Sequence, residues 1–219
     1  MAKKKRTIAV VTGTRAEFGL LEPVMRAIDS HRALDLRVVC AGLHLSQGTW
    51  KDITAAGFEI KARVRMQTRG ATGRAADVAA MGKGIAGFGK AFEQIKPDFV
   101  VVLGDRIEAF AAASAAGVGG YRVAQIHAGD RAEGVADEAM RHAISKLAHL
   151  HLAATPRSRA RLTRMGEQAW SVHNVGSPAV DGLADVQPAA DAPSLIVLQH
   201  PIGKTDAKEQ RWMSQTLAA

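Results

Sequence analysis

Two hydrophobic patterns alternate along this chain. Short runs of β-branched and apolar residues are separated by longer stretches in which apolar residues recur every three to four positions. That alternation predicts an α/β architecture: a doubly wound, Rossmann-like parallel sheet covered by helices on both faces. The strands read "TIAVVT" (7–12), "LDLRVVCA" (34–41), "FEIKARV" (58–64), "DFVVVLGD" (98–105), "RVAQIH" (122–127), "HLHLAAT" (149–155) and a short "VHNVG" (172–176). The fourth is almost wholly apolar, as a strand buried on both faces should be. After the first strand, Leu20, Leu21, Val24, Met25 and Ile28 recur at helical spacing, with Glu22, Arg26 and Asp29 opposite. Further helices are expected at "DITAAG" (52–57), from about Gly73 to Lys96, across the Ala-rich stretch after Asp105, from Asp137, and over 157–165. Gly82, Gly84, Gly87 and Gly89 fall inside the long helix, and each lowers helix propensity by about 1 kcal/mol relative to Ala. Either close packing offsets that cost or the helix is partly irregular.

The pattern breaks at 178–193, which holds three of the seven prolines. A short helix and then a linker are expected there. The periodicity restarts with "SLIVLQ" as a strand, "HPIGKT" as a turn and a helix to the chain end. One strand and one helix cannot bury a core of their own. The expected organisation is therefore a domain over 1–177, a linker over 178–193, and the first strand and helix of an incomplete second Rossmann-like domain over 194–219.

Composition narrows the function classes. The chain has 219 residues, 47% of them hydrophobic, enough for one full domain with length to spare. The single Cys40 cannot form an internal disulfide, and no run approaches the roughly 20 apolar residues of a membrane span. The basic start "MAKKKRTIAVV" leads through a strand-like run directly into Gly13, unlike a signal peptide, so a cytoplasmic location is expected. The net charge of +8 invites a nucleic-acid reading, but eight basic residues sit in two local clusters, 3–6 and 157–164. Removing them leaves 21 basic against 21 acidic residues, and aromatic content of 5% offers little to stack on bases. No nucleic-acid partner is expected.

The candidate chemistry lies in polar turns after three strands: Gly13, Arg15 and Glu17 after the first, Asp105, Arg106 and Glu108 after the fourth, His127, Asp130 and Arg131 after the fifth. In a doubly wound sheet these turns open on one edge. At the start of the helix from 137, Asp137 with Arg141 and Glu138 with His142 are i,i+4 pairs. They read either as site residues or as ordinary helix-start charges, and Asp105 reads either as chemistry or as a helix N-cap. "GTRAEFG" lacks the middle glycine of the dinucleotide fingerprint, which argues against NAD and suits a guanidinium facing phosphate. One cysteine, no His-Glu-x-x-His and histidines on separate strands give no metal set, and no cofactor is expected.

These segments together resemble the UDP-N-acetylglucosamine 2-epimerase family, and its hydrolysing branch in particular. "VTGTRAEFGLLEPVMRAI", "VVLGDRIEAFAAA", "QIHAGDRAEGVADEAMRHAISKLAHLHLAAT", "VHNVGSPAVDGL" and "LQHPIGKTD" carry the likeness in order along nearly the whole chain. The resemblance implies the N-terminal half of a two-domain GT-B-type fold, a UDP-sugar partner and a homodimer. It implies elimination of UDP from the sugar followed by addition of water, giving N-acetylmannosamine, as in sialic acid synthesis. By resemblance Asp105, Asp137 and Glu138 supply acid, base or cation-stabilising carboxylates, with His127 beside them, and Arg141 orients them. Arg15 and His200 meet the diphosphate, with Gly13, Glu17, Arg106 and Asp130 on the substrate side. The family usually carries His-Ile-His (or Glu)-Gly-Gly-Glu where this chain has Gln125, Ile126, His127, Ala128, Gly129 and Asp130. Those departures bear on substrate preference or activity. A sugar-nucleotide-binding domain without catalysis is the competing reading.

Overall fold

The computed structural model describes residues 4–131, 137–181, 197–199 and 205–218. It falls into two compact units, Met1–Asp181 and Gly182–Ala219. In the first, β1 (Arg6–Thr12), β2 (Leu34–Ala41), β3 (Ile60–Val64), β4 (Phe99–Leu103), β5 (Arg122–Ile126), β6 (Leu150–Ala153) and β7 (Val172–Asn174) form one sheet. Its order is β3-β2-β1-β4-β5-β6-β7, and every pairing is parallel. The doubly wound architecture is thus as the sequence pattern predicts.

Alternation along the strands splits the core between two faces. Ala9, Val11, Val39, Val100 and Val102 face α4 (Arg74–Ile95) and α5 (Ile107–Val118), with Ile144 of α6 (Asp137–Leu147) in the same cluster. Ile8, Val10, Val38, Val101 and Leu103 face the other way, against Phe18, Leu21, Met25 and Ile28 of α1 (Arg15–Ser30). Leu162 of α7 (Pro156–Arg164) closes a smaller cluster with Ala128, Ala153 and Val172. The glycines of α4 divide by environment. A Cβ on Gly84 would lie 2.6 Å from the Met66 side chain, and one on Gly87 2.7 Å from Val64, so close packing onto β3 and α5 requires both. Gly82 and Gly89 have no such neighbour, and nothing in the structure offsets their propensity cost.

Where one helix was expected at 52–57 there are two, α2 (Leu43–Gln47) and α3 (Trp50–Ala55). The first, five residues long and bracketed by Gly42 and Gly48 at positive φ, is too short to show a period. Several strands are shorter than expected because their last residues turn: β4 ends at Leu103, and Gly104 takes φ 72° while its N–H donates to Ile126 O.

The strand order reverses between β1 and β4, the switch point at which open α/β sheets bind ligands beyond the carboxyl ends of their strands. After β7 the chain returns toward that region, placing the 3-10 turn Pro178–Val180 beside α1. In the second unit, α8 (Asp206–Ala218) is helical as expected, and Thr216 Oγ1 donates to Gln199 Oε1 at 2.6 Å. Residues 197–199 are not in a strand. The remainder of the expected strand, the linker from 182 to 193, and His200 lie outside the described residues.

Candidate active site

The turn after β1 is built around carboxylates. Thr14 caps α1 by accepting from Glu17 N, and Glu17 returns the favour by accepting from Gly13 N at 2.7 Å and Thr14 N at 3.1 Å, a capping box. Gly13 O accepts from His44 N. Both polar groups of Gly13 are therefore engaged within the protein, and its missing side chain serves another need. A Cβ on Gly13 would stand 2.6 Å from Glu108, and one on Gly42 2.5 Å from the same side chain. Glu108 of α5, fully buried, runs between the two and accepts from Gln67 Nε2 at 2.7 Å. Within the turn, Glu17 holds the backbone of Gly13 and Thr14, and the absent side chain of Gly13 leaves the space that Glu108 fills. Burial, reinforced by the negative charge of Glu108, pushes the Glu17 carboxyl up to about 7 despite its two backbone donors. Arg15 stands largely in solvent, its Nε 3.4 Å from Asp52 Oδ2.

Across the switch point, Asp105 and Arg141 form a close ion pair with little solvent access. The i,i+4 pairing of Arg141 with Asp137 gives way to this partner 36 residues distant. The cap reading of Asp105 falls with it, since Arg106 occupies the N-cap position of α5 and no side chain caps it. Glu138 does meet His142, at 3.6 Å, and also Arg131 at 3.3 Å. Burial raises the Asp105 carboxyl more than Arg141 lowers it, and Asp137 adds to the rise. Arg106, partly exposed, reaches Glu108 at 3.3 Å.

What holds Arg141 there is a residue the sequence pattern left without a role. Gln125, buried on β5, donates from Nε2 to Gly104 O at 3.2 Å and to Arg141 O at 3.1 Å. Its Oε1 accepts from Ser145 Oγ at 2.7 Å. One side-chain amide thus joins the end of β4 to the second and third turns of α6. The signal for it was the substitution of a family histidine by glutamine, which reported difference without showing the partners.

The turn after β5 holds His127, a non-glycine residue at φ 58°. Its Nδ1 lies 2.9 Å from Asp130 Oδ2 and its Nε2 2.9 Å from Ser177 Oγ. Burial would raise the Asp130 carboxyl, but hydrogen bonds from His127 and Ser158 and the nearby His127 and Arg141 charges outweigh it and hold it low. Beside this turn a cavity of about 540 Å³ is lined by Asp130, Arg131, Arg141, Arg157, Ser158 and Arg161. A polar cavity of about 700 Å³ adjoins Arg106, between Ser46 and the 67–73 loop. An apolar groove of similar size over Val24, Ile28, Val101 and Leu152 is away from these turns, with only Arg6 and Arg122 as charged lining. Among the described residues no group of His, Cys, Asp and Glu could hold a metal ion, and no helix is long and apolar enough to cross a membrane.

The family model for UDP-N-acetylglucosamine 2-epimerase matches residues 26–216. The chain belongs to that family. A UDP-N,N'-diacetylbacillosamine 2-epimerase (hydrolyzing) of Legionella pneumophila is 39% identical over 179 residues, covering 80% of this chain and 47% of the relative. The UDP-N-acetylglucosamine 2-epimerase of Neisseria meningitidis serogroup B is 34% identical over 182 residues, covering 82% and 47%. A crystal structure of a UDP-N-acetylglucosamine 2-epimerase superposes with a TM-score of 0.76 at 24% identity, over 87% of this chain and 53% of that one. The Neisseria meningitidis enzyme bound to UDP-GlcNAc gives 0.73 at 23% identity, over 82% and 49%. The sheet is therefore that of one half of a GT-B fold, and the chain spans about half the length of the curated relatives it matches.

Two expected outcomes test this construction. Gln125→Leu removes the side-chain donor to Gly104 O while Ser145 Oγ and Arg141 O keep each other, so urea unfolding should show a loss of about 1–3 kcal/mol. Glu17 binds its proton more tightly folded than unfolded, so its contribution is present below its ordinary value of 4.5 and is lost as pH rises through about 7. Across that window the wild type should lose up to about 3 kcal/mol relative to Glu17→Gln, which carries no titrating group there. Parallel pH profiles for the two proteins would refute the assignment.

Proposed function

We propose that this chain carries the sugar-side portion of a hydrolysing 2-epimerase acting on UDP-N-acetylglucosamine or a related 2-acetamido sugar nucleotide. The observation that carries the reading is the half-buried Asp105–Arg141 pair at the switch point, with Asp137 close enough to raise the Asp105 carboxyl. The Legionella pneumophila relative, a hydrolyzing 2-epimerase by name, supports the branch.

The reaction sets the requirements. The C2 proton of the sugar is too weakly acidic for a carboxylate until the C1–O bond loosens and positive charge grows at C1. Breaking that bond sends its electron pair to the diphosphate; a carboxylate takes the C2 proton, and C1=C2 forms. Water then adds across the double bond, its oxygen to C1 and a proton to the opposite face of C2, giving N-acetylmannosamine and UDP. A carboxyl whose pKa lies above its ordinary value holds a proton more readily than a free one, which suits Asp105 to exchange it with the sugar. Asp137 and Glu138 share the acid, base or cation-stabilising work. Arg141 orients Asp105, and its charge also reaches Asp130 across the site. Arg15 and His200 meet the leaving diphosphate, where cationic groups gain most as charge develops. In this reading 1–177 is the sugar-side domain, 178–193 the linker and 194–219 the entry to the nucleotide-side domain.

The chain incubated with UDP-N-acetylglucosamine in deuterated water should release UDP and N-acetylmannosamine carrying deuterium at C2, followed by NMR. Asp105→Asn should lower that turnover at least about 100-fold with the fold retained by circular dichroism. UDP-N-acetylglucosamine bound without turnover would favour the sugar-nucleotide-binding domain without catalysis.

A further inference from the structure

Four polar side chains from three elements form a chain of hydrogen bonds across the carboxyl edge. Ser158 Oγ of α7 donates to Asp130 Oδ1 at 2.5 Å, Asp130 Oδ2 meets His127 Nδ1 at 2.9 Å, and His127 Nε2 meets Ser177 Oγ at 2.9 Å. The last link joins residues 50 positions apart, the turn after β5 and the segment that returns beside α1.

We propose that Ser177 is a positioning residue for His127: its hydroxyl satisfies Nε2 and, with Asp130 on Nδ1, fixes the imidazole plane at the carboxyl edge of the sheet. The inference rests on the reading of His127 as part of the 2-epimerase site.

The hydrogen-bond inventory shows why a hydroxyl belongs there. Asp130, an anion, only accepts, so it selects the imidazole proton on Nδ1. In the neutral ring Nε2 is then an acceptor and Ser177 donates to it. In the imidazolium both nitrogens donate, and the same hydroxyl turns to accept. Ser177 can play both parts, whereas an alanine could play neither. The oxygen is itself pinned, since Ser177 caps the Pro178–Val180 turn and accepts from Ala179 N at 3.2 Å. Serine, histidine and aspartate in this order make a nucleophilic triad in other proteins. Here the hydroxyl is held to the backbone of a turn, which suits aiming a ring rather than attacking a carbonyl.

Positioning matters because the backbone alone places His127 expensively. A non-glycine residue at φ 58° is strained, and it persists only where its surroundings over-determine it. Two anchored ring nitrogens supply that over-determination. Ser177 lies outside the three strand-end turns in which the candidate residues cluster, so no local spacing points to it.

Ser177→Ala and Ser177→Thr, prepared with ¹⁵N-labelled histidine, provide the test. In the unmodified chain, at a pH that keeps the ring neutral, long-range ¹H–¹⁵N correlations should show His127 protonated on Nδ1, with Nε2 hydrogen-bonded. Ser177→Ala should move the Nε2 resonance downfield by several ppm, and Ser177→Thr should restore it. In turnover, Ser177→Ala should lower kcat on the order of 10- to 100-fold with KM little changed, and threonine should rescue it. An Nε2 resonance indifferent to Ser177→Ala, or full kcat in that variant, would overturn the proposal. Failure of the 2-epimerase reading shows separately, as absence of turnover in the unmodified chain, and leaves the Nε2 result standing on its own.

Discussion

A parallel sheet delivers the carboxyl ends of its strands to one edge, but nothing in its ladder brings a helix side chain to the same place. In this chain the Gln125 amide makes that link. It takes the carbonyl that ends β4, a carbonyl in α6 and a hydroxyl one turn further along the helix, all within the buried layer. Together with the packing of Ile144 in the core, these bonds tie α6 to the end of β4, on the element that also carries Arg141 to Asp105.

The site handles its negative charges in two ways. Glu17 and Glu108 stand near one another in the first turn, where burial and mutual repulsion favour a proton on Glu17 while backbone amides favour the charge. The charge of Asp137 reaches Asp105 at the switch point, and the Arg141 charge only partly offsets the burial of Asp105. The first arrangement sits inside the protein and shapes a turn. Arg141, the partner of Asp105 in the second, also lines the arginine-rich cavity.

How much of this was legible depended on the range of each interaction. The strands could be read because neighbours such as Val100 and Val101, which point to opposite faces, must both be apolar where the sheet is covered twice. The turns that carry Asp105 and His127 could be read because strand ends are punctuated by glycine and charge. The partners could not. Arg141 has an acidic residue four positions back, and that local signal conceals a stronger claim from Asp105 in a different element. Gly13 carries the mark of a phosphate-binding turn but answers to Glu108, ninety-five positions along the chain. The roles of Gln125 and Ser177 required three-dimensional proximity, for which a single sequence holds no periodic signal.

The passage of Glu108 between Gly13 and Gly42 has a consequence for substitution. A side chain at either glycine would occupy the space of the glutamate, and at Gly42 it would also strain a backbone held at φ 57°. A side chain at position 13 or 42 would therefore have to displace Glu108 from the space it fills. Three positions scattered over the first half of the chain share one volume, so a change at any of them is felt at the other two.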